Sequence, residues 1–151
     1  MRELGFTLVE LITVIVIAGI LAAVALPRWH GETGFEERQF RDETVAALRL
    51  AQKSAIATRR RVCAAFTANT ASFSLAGAFA DGGCGGGGAT ALVGTNGRAL
   101  VVTGSNGATY SGQPGSLTFD PKGRPNMSAT FTVNGLPSVP IRVEAETGYV
   151  H

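Results

Sequence analysis

The sequence predicts an α+β protein: a long N-terminal helix, with an apolar half and an amphipathic half, packed on an antiparallel β-sheet or sandwich. Three observations carry that prediction. Residues 6–26 form an apolar run of helical length, residues 35–58 repeat their apolar positions at helical spacing, and after Arg61 the period falls to two between Gly- and Pro-rich turns. At 151 residues with 20 glycines, the chain has room for one loop-rich domain and an appendage. The formal net charge of +2 does not by itself imply a nucleic-acid or acidic-lipid partner.

The first element is the run "GFTLVELITVIVIAGILAAVALP", residues 5–27, whose only charge is Glu10. As a helix, residues 6–26 span about 30 Å, the hydrocarbon thickness of a bilayer. Pro27 follows at once, and Trp29 stands where an amphipathic ring favours the headgroup layer. A carboxylate at the bilayer centre costs roughly 2.5–3.5 kcal/mol, so Glu10 is either an interfacial acid solvated by headgroups or part of the function. Three readings of the run compete. Ala23-Val24-Ala25 has the small-x-small form of a signal-peptidase site, but Glu3 offsets Arg2 in the leader and the run is longer than a usual signal. An ordinary anchor explains the length but not Glu10. The third reading is a membrane helix whose beginning is exposed by a cut after Gly5. Charge bias does not orient the segment, because Arg2 alone precedes it while Arg28, Arg38 and Arg41 follow.

The division that results is 1–5 as a leader, 6–27 as the membrane or assembly helix, 28–61 as its amphipathic continuation and 62–151 as a β-rich globular domain. In the continuation, Phe40, Thr44, Ala47, Leu48, Ala51 and Ala55 fall within roughly 100° of one another, with Arg38, Asp42, Arg49 and Lys53 on the other side. Gly31 and Gly34 loosen the join to the upstream helix and predict a bend. Beyond Arg61, "VCAAF" (62–66) and "SFSLAGAF" (72–79) read as strands around the turn "TANT". "RALVVTG" (98–104), "SLTFD" (116–120) and "ATFTVNG" (129–135) are further strands, and "DPKGRP" (120–125) is a turn. In "VPIRVEAE" (139–146), Val139, Ile141, Val143 and Ala145 face one way, Arg142, Glu144 and Glu146 the other, and Tyr149-Val150 starts a short return. Such short strands need a second sheet or the Ala-faced helix as a lid.

Chemistry-bearing residues are sparse. "DGGCGGGG" lacks the Lys-Ser/Thr of a phosphate-cradling loop and reads as a flexible loop around Cys84. Cys63 and Cys84 form no Cys-x-x-Cys, and only His30 and His151 could assist, too few ligands for structural zinc. In an exported domain they would form one disulfide worth about 3 kcal/mol; in a reducing compartment they would be two thiols. Neither histidine stands beside a Ser or Cys motif, and no Gly-x-Ser-x-Gly occurs, so no catalytic residue is assigned.

The segment Gly5-Phe6-Thr7-Leu8-Val9-Glu10, followed by an apolar helix ending at Pro27, resembles the processing and assembly signature of type IV pilins and pseudopilins. The stretch "FRDETVAALRLAQKSAIATRRRV" and the late "LTFDPKGRP" are similar to the H-type pseudopilins of type II secretion and the FimT-type minor pilins, the GspH/FimT family. The tail "IRVEAETGYVH" is also similar to minor pilins of mannose-sensitive haemagglutinin-type pili. The resemblance implies a prepilin peptidase that cuts between Gly5 and Phe6 on the cytoplasmic side and methylates the new amine of Phe6. It implies a single-pass inner-membrane protein with its β domain in the periplasm, where Cys63–Cys84 pair, and then a place in a pilus or pseudopilus. Other pilins are its implied partners, and no cofactor or metal is implied. Glu10, one turn from the Phe6 amine, would pair with that amine on a neighbouring subunit, so that assembly satisfies two charges costly in hydrocarbon. Gly19, Ala22, Ala23 and Ala25 would let the helices approach closely.

The function expected is therefore structural: a minor pilin or pseudopilin at the tip or initiating complex of a filament. One alternative is DNA capture through Arg59, Arg60, Arg61, Arg98, Lys122 and Arg124, since loop-borne arginines reach phosphates. Against it, the DNA-binding FimT type favours Gly-Arg-x-Arg, and here Gly123-Arg124 is followed by Pro125-Asn126. A further alternative is a secreted soluble adhesin released by a cut after Ala25.

Overall fold

The computed structural model describes residues 7–25, 34–78, 83–85 and 87–151. These fall into two compact units, Met1–Thr33 and Gly34–His151. In the first, helix α1 (Leu8–Ala25) opens on a threonine cap. The Glu10 N–H donates to Thr7 Oγ1 at 3.3 Å and the Leu11 N–H to Thr7 O at 3.2 Å, satisfying donors that a helix start leaves unpaired. Pro27, Trp29, His30 and Gly31 lie outside the described residues.

The second unit begins with Gly34 at φ +110°, a conformation that favours glycine, and runs directly into α2 (Phe35–Thr58). The predicted stripe is buried, and Val45 joins it. Arg59, left-handed at φ 53°, ends the helix and gives its N–H to Ile56 O. Among the described residues eight strands follow: β1 (Val62–Phe66), β2 (Thr70–Leu75), β3 (Thr90–Ala91), β4 (Val101–Thr103), β5 (Tyr110–Ser111), β6 (Ser116–Phe119), β7 (Ala129–Val133) and β8 (Ile141–Val143). One sheet has the order β3-β2-β1-β6 with β4 also on β2; the other is β5-β7-β8, and every pairing is antiparallel.

Several strands differ from expectation. β2 stops at Leu75, and of the segment 98–104 only residues 101–103 form a strand; Ala99 makes an isolated bridge to Val93 across the turn that Gly94 closes by donating to Arg98 O. Of 139–146 only Ile141, Arg142 and Val143 form a strand. Pro140 has no N–H to give, Val139 donates to Leu136 O in a turn, and Gly148 donates back to Glu144 O at 2.8 Å. Ile141 and Val143 are buried as expected, whereas Val139 is exposed. The short return is real: Arg142 and His151 exchange both backbone bonds, at 2.7 and 3.0 Å.

The core lies between α2 and the two sheets. Tyr110 of β5 packs its ring 4.4 Å from Phe40 of α2, 5.8 Å from Phe66 of β1 and 5.7 Å from Phe131 of β7. One aromatic thus ties helix and both sheets together. Its hydroxyl donates to Thr44 Oγ1 at 2.6 Å, and Thr44 in turn donates to Phe40 O at 2.7 Å. Burial pushes the Tyr110 pKa up to about 12; the Thr44 contact works against this, and the nearby Glu43 charge adds to it.

Helix α2 also fastens the carboxyl end. Arg49 Nε donates to Val150 O at 3.0 Å, Gln52 Nε2 to Thr147 O at 3.0 Å and to Gly123 O at 3.2 Å, and Arg41 to Pro140 O at 3.4 Å. Gly148 (φ +68°) sits so close to Gly123 O and the Gln52 amide that a Cβ there would collide with both. The "DPKGRP" turn and the "TGYV" tail therefore meet on one helical glutamine.

Candidate functional site

Two regions carry the residues singled out from sequence. The first is α1. Every described side chain from Thr7 to Ala23 is exposed within its unit, with Leu8 74% and Ile17 57% open to solvent. A helix apolar on all sides needs a nonpolar environment from outside its own unit. Glu10 lies on this helix, exposed, with its backbone engaged in the Thr7 cap. Gly5 and Phe6, the expected processing residues, lie outside the described residues. Among the described residues no helix is long and apolar enough to cross a membrane; the 18 residues of α1 measure about 27 Å against roughly 30 Å of hydrocarbon.

The second region is a polar cleft of about 360 Å³ at the β6 edge of the larger sheet, lined by Arg61, Thr118, Asp120, Arg124, Pro125 and Asn126. Sheet register builds it. Val62 pairs with Phe119, so Arg61, just before β1, meets Asp120, just after β6. Asp120 Oδ1 accepts the N–H groups of Lys122 and Arg124, each at 2.8 Å, and shapes the loop. Asn126 closes it by accepting the Thr118 N–H on Oδ1 and donating its own N–H to Thr118 O, both at 2.9 Å.

The structure thus brings Arg61 and Arg124 to one cleft, with Lys122 on the same loop and Arg59 and Arg60 exposed in the link that leads to Arg61. Arg98 is elsewhere. It lies in the turn between β3 and β4, at the opposite edge of the sheet, three strand spacings or about 14 Å across. Thr118 and Asn126 are cleft residues that the sequence did not single out; a residue paired backbone-to-side-chain across eight positions leaves no periodic signal.

Cys63 and Cys84 are disulfide-bonded, with Cα atoms 6.0 Å apart. The bond fastens the glycine-rich segment to β1 beside the cleft, where Thr118 Oγ1 lies 3.6 Å from Cys63 Sγ. The cleft offers guanidinium, amide and hydroxyl groups beside the Asp120 carboxylate, a set suited to charge-assisted hydrogen bonding. Among the described residues no group of three or more His, Cys, Asp or Glu side chains could hold a metal ion.

Residues 1–26 match the prokaryotic N-terminal methylation motif, and residues 42–147 match the model of type II transport protein GspH. The chain is similar to the type IV narrow pilus major component PilA5 of Thermus thermophilus, 52% identical over 58 residues that cover 38% of this chain and 48% of that protein. It is also similar to a fimbrial protein of Pseudomonas aeruginosa, 38% identical over 63 residues that cover 42% of this chain and 41% of that one. The matches thus span less than half the length of these relatives. No solved structure matches the chain.

Proposed function

The chain belongs to the type II transport protein GspH family, with residues 42–147 covered by the family model, and we propose that it is a minor pilin or pseudopilin of a type IV pilus or type II secretion pseudopilus. A prepilin peptidase cuts it between Gly5 and Phe6 and methylates Phe6. Before assembly it is a single-pass inner-membrane protein with residues 34–151 in the periplasm; afterwards it occupies the tip or initiating complex of the filament. The observation that carries this reading is the pairing, in one chain, of the methylation motif at 1–26 with the GspH match at 42–147. The fully exposed apolar face of α1 supports burial among neighbouring helices, and a disulfide suits an oxidising compartment. Its role is structural, not catalytic.

In the filament the Glu10 carboxylate compensates the Phe6 amine of an adjoining subunit, because an uncompensated charge in a nonpolar core is strongly disfavoured. Mass spectrometry of the mature protein from its native host tests the reading. N-methylated Phe6 at the amino end is expected; an intact Met1 ends it, and a start at Leu26 replaces it with the soluble-adhesin reading.

One observation favours a second reading, DNA capture: Arg61 and Arg124 share a cleft with Lys122 beside it. A gel shift with the full chain, lost steeply as salt rises, would support it, and no shift at low salt removes it.

A further inference from the structure

The edges of the two sheets are not guarded alike. At β6, Asn126 clasps both backbone groups of Thr118; at β8, His151 exchanges bonds with Arg142; at β5, the Tyr110 N–H is taken by Ala68 O. β4 has no such guard. Leu100 O accepts from Phe73, Gly104 donates to Asn69 O, and Val102 pairs with Ala71 between them, so these residues face β2. By the alternation of an antiparallel ladder, Val101 and Thr103 turn their N–H and C=O groups away from the sheet. Among the described residues no hydrogen bond reaches those groups, and both side chains are exposed.

Beside this open edge lies a groove of about 530 Å³ between α2 and the segment 94–102. Ala46, Ala47 and Leu50 form its helix wall, Leu100 and Val101 its sheet wall. Two successive alanines leave the helix thin at this point, and the trough is apolar. The turn that Gly94 closes on Arg98 O bounds it at one end; at the other, Ser105 and Asn106 are tied to Glu36. Between these bounds residues 101–104 offer about 13 Å of edge, or roughly four extended residues. Among the described residues Glu43 is the one charged side chain in the lining. Its Oε1 accepts from Gln39 Nε2 at 2.8 Å, but a neutral amide leaves the negative charge uncompensated.

We propose that the β4 edge and this groove form a docking site for an extended peptide segment of another protein, added to the larger sheet as one more strand. The peptide backbone bonds to Val101 and Thr103. Alternate side chains of the peptide, apolar and of moderate size, enter the groove against Ala46, Ala47 and Leu50. A lysine or arginine at one end of the segment meets Glu43, whose charge then selects and orients the partner. The other side chains lie beside Val101 and Thr103 on the outer face of the sheet. A helix laid in the same groove would shield the free groups of β4 from water without pairing them, which disfavours it. At three residues β4 is too short to template a copy of itself, so a foreign segment fits better than edge-to-edge pairing of two copies. The site does not depend on the filament reading.

The probes are two capped, dye-labelled synthetic peptides, Lys-Thr-Val-Thr-Val-Thr-Ser and its reverse, which carry the lysine at opposite ends. Each is titrated into full-length protein in detergent micelles, with binding read by fluorescence anisotropy and amide hydrogen exchange. One of the two should bind saturably and slow exchange at the Val101 and Thr103 amides about tenfold or more. N-methylation of the peptide nitrogens in one alternate phase should abolish binding, and in the other phase should spare it. Val101→Pro removes an outward N–H without touching the ladder, so it should weaken binding about fivefold, the worth of one hydrogen bond, with melting unchanged. Glu43→Lys should weaken it about tenfold and transfer the preference to a peptide with Glu in place of Lys. No binding of either peptide at millimolar concentration, or loss on methylation in both phases or in neither, would overturn the proposal. So would slowed exchange at β6 or β8 instead, or Val101 and Thr103 amides that slow without peptide as the protein is concentrated, the mark of a second copy on the edge. A processed Phe6 on a protein that ignores both peptides sinks this site and spares the filament reading; an uncut chain that binds one of them does the opposite.

Discussion

Helices α1 and α2 answer opposite demands. Side chains of α1 from Thr7 to Ala23 are all exposed, almost all of them apolar, while α2 puts charge on one side and a stripe centred on Phe40, Leu48, Ala51 and Ala55 into the core. For α2 the folding problem is solved inside residues 34–151. For α1 it is not, and its apolar surface has to be satisfied by lipid or by other helices. The two comparisons divide in the same place, the methylation motif matching residues 1–26 and the GspH model residues 42–147. On the proposed assembly reading, Glu10 is the one acid of α1 that a neighbouring subunit would have to compensate.

The sharpest way to break this comparison is Glu10→Ala. Loss of one partner from a buried ion pair typically costs 3–5 kcal/mol, so filament yield should fall by about a hundredfold or more. Cleavage after Gly5 and the melting of residues 34–151 should be unchanged, which mass spectrometry and calorimetry on one preparation would check. The converse substitution, Phe40→Ala, should remove about 3–5 kcal/mol from the second unit in urea titrations while leaving cleavage of the leader intact. Next in size is the disulfide. Cys63→Ser with Cys84→Ser should cost about 3 kcal/mol through the freed loop, and a reductant should bring the wild type to the same midpoint.

The smallest effect concerns Tyr110. Its pKa is raised to about 12, whereas in the unfolded chain it titrates near the ordinary 10, so the unfolded state releases its proton first. Stability is therefore fully present below pH 10 and declines as pH rises toward 12. Tyr110→Phe should flatten that decline in denaturation midpoints taken at pH 8 and 11, at the cost of the hydroxyl's bond to Thr44, roughly 1 kcal/mol.

Much of this was legible before the coordinates. The buried face of α2 follows from spacing alone, and β1, β6 and β7 stand where alternation puts them. Two-residue strands such as β3 and β5 are too short to show a period, so Tyr110, the ring on which the whole core turns, looked like any loop residue. The basic residues were recognisable by type but not by place. Arg61 and Arg124 meet only because β1 and β6 pair in a register that no local pattern encodes, and Arg98, equally basic, lands at the far edge. The glycines of "DPKGRP" and "TGYV" read as turns; that both turns close on Gln52 is a tertiary fact.

The three side chains that α2 extends to distant carbonyls, Arg41, Arg49 and Gln52, have a mechanical consequence. A pull transmitted along the helix axis does not peel these attachments away one after another. It has to break the bonds to Pro140, Thr147, Val150 and Gly123 and part the Phe40 and Tyr110 rings. The carboxyl end of residues 34–151 is thereby pinned to the helix at several points rather than left as a free tail.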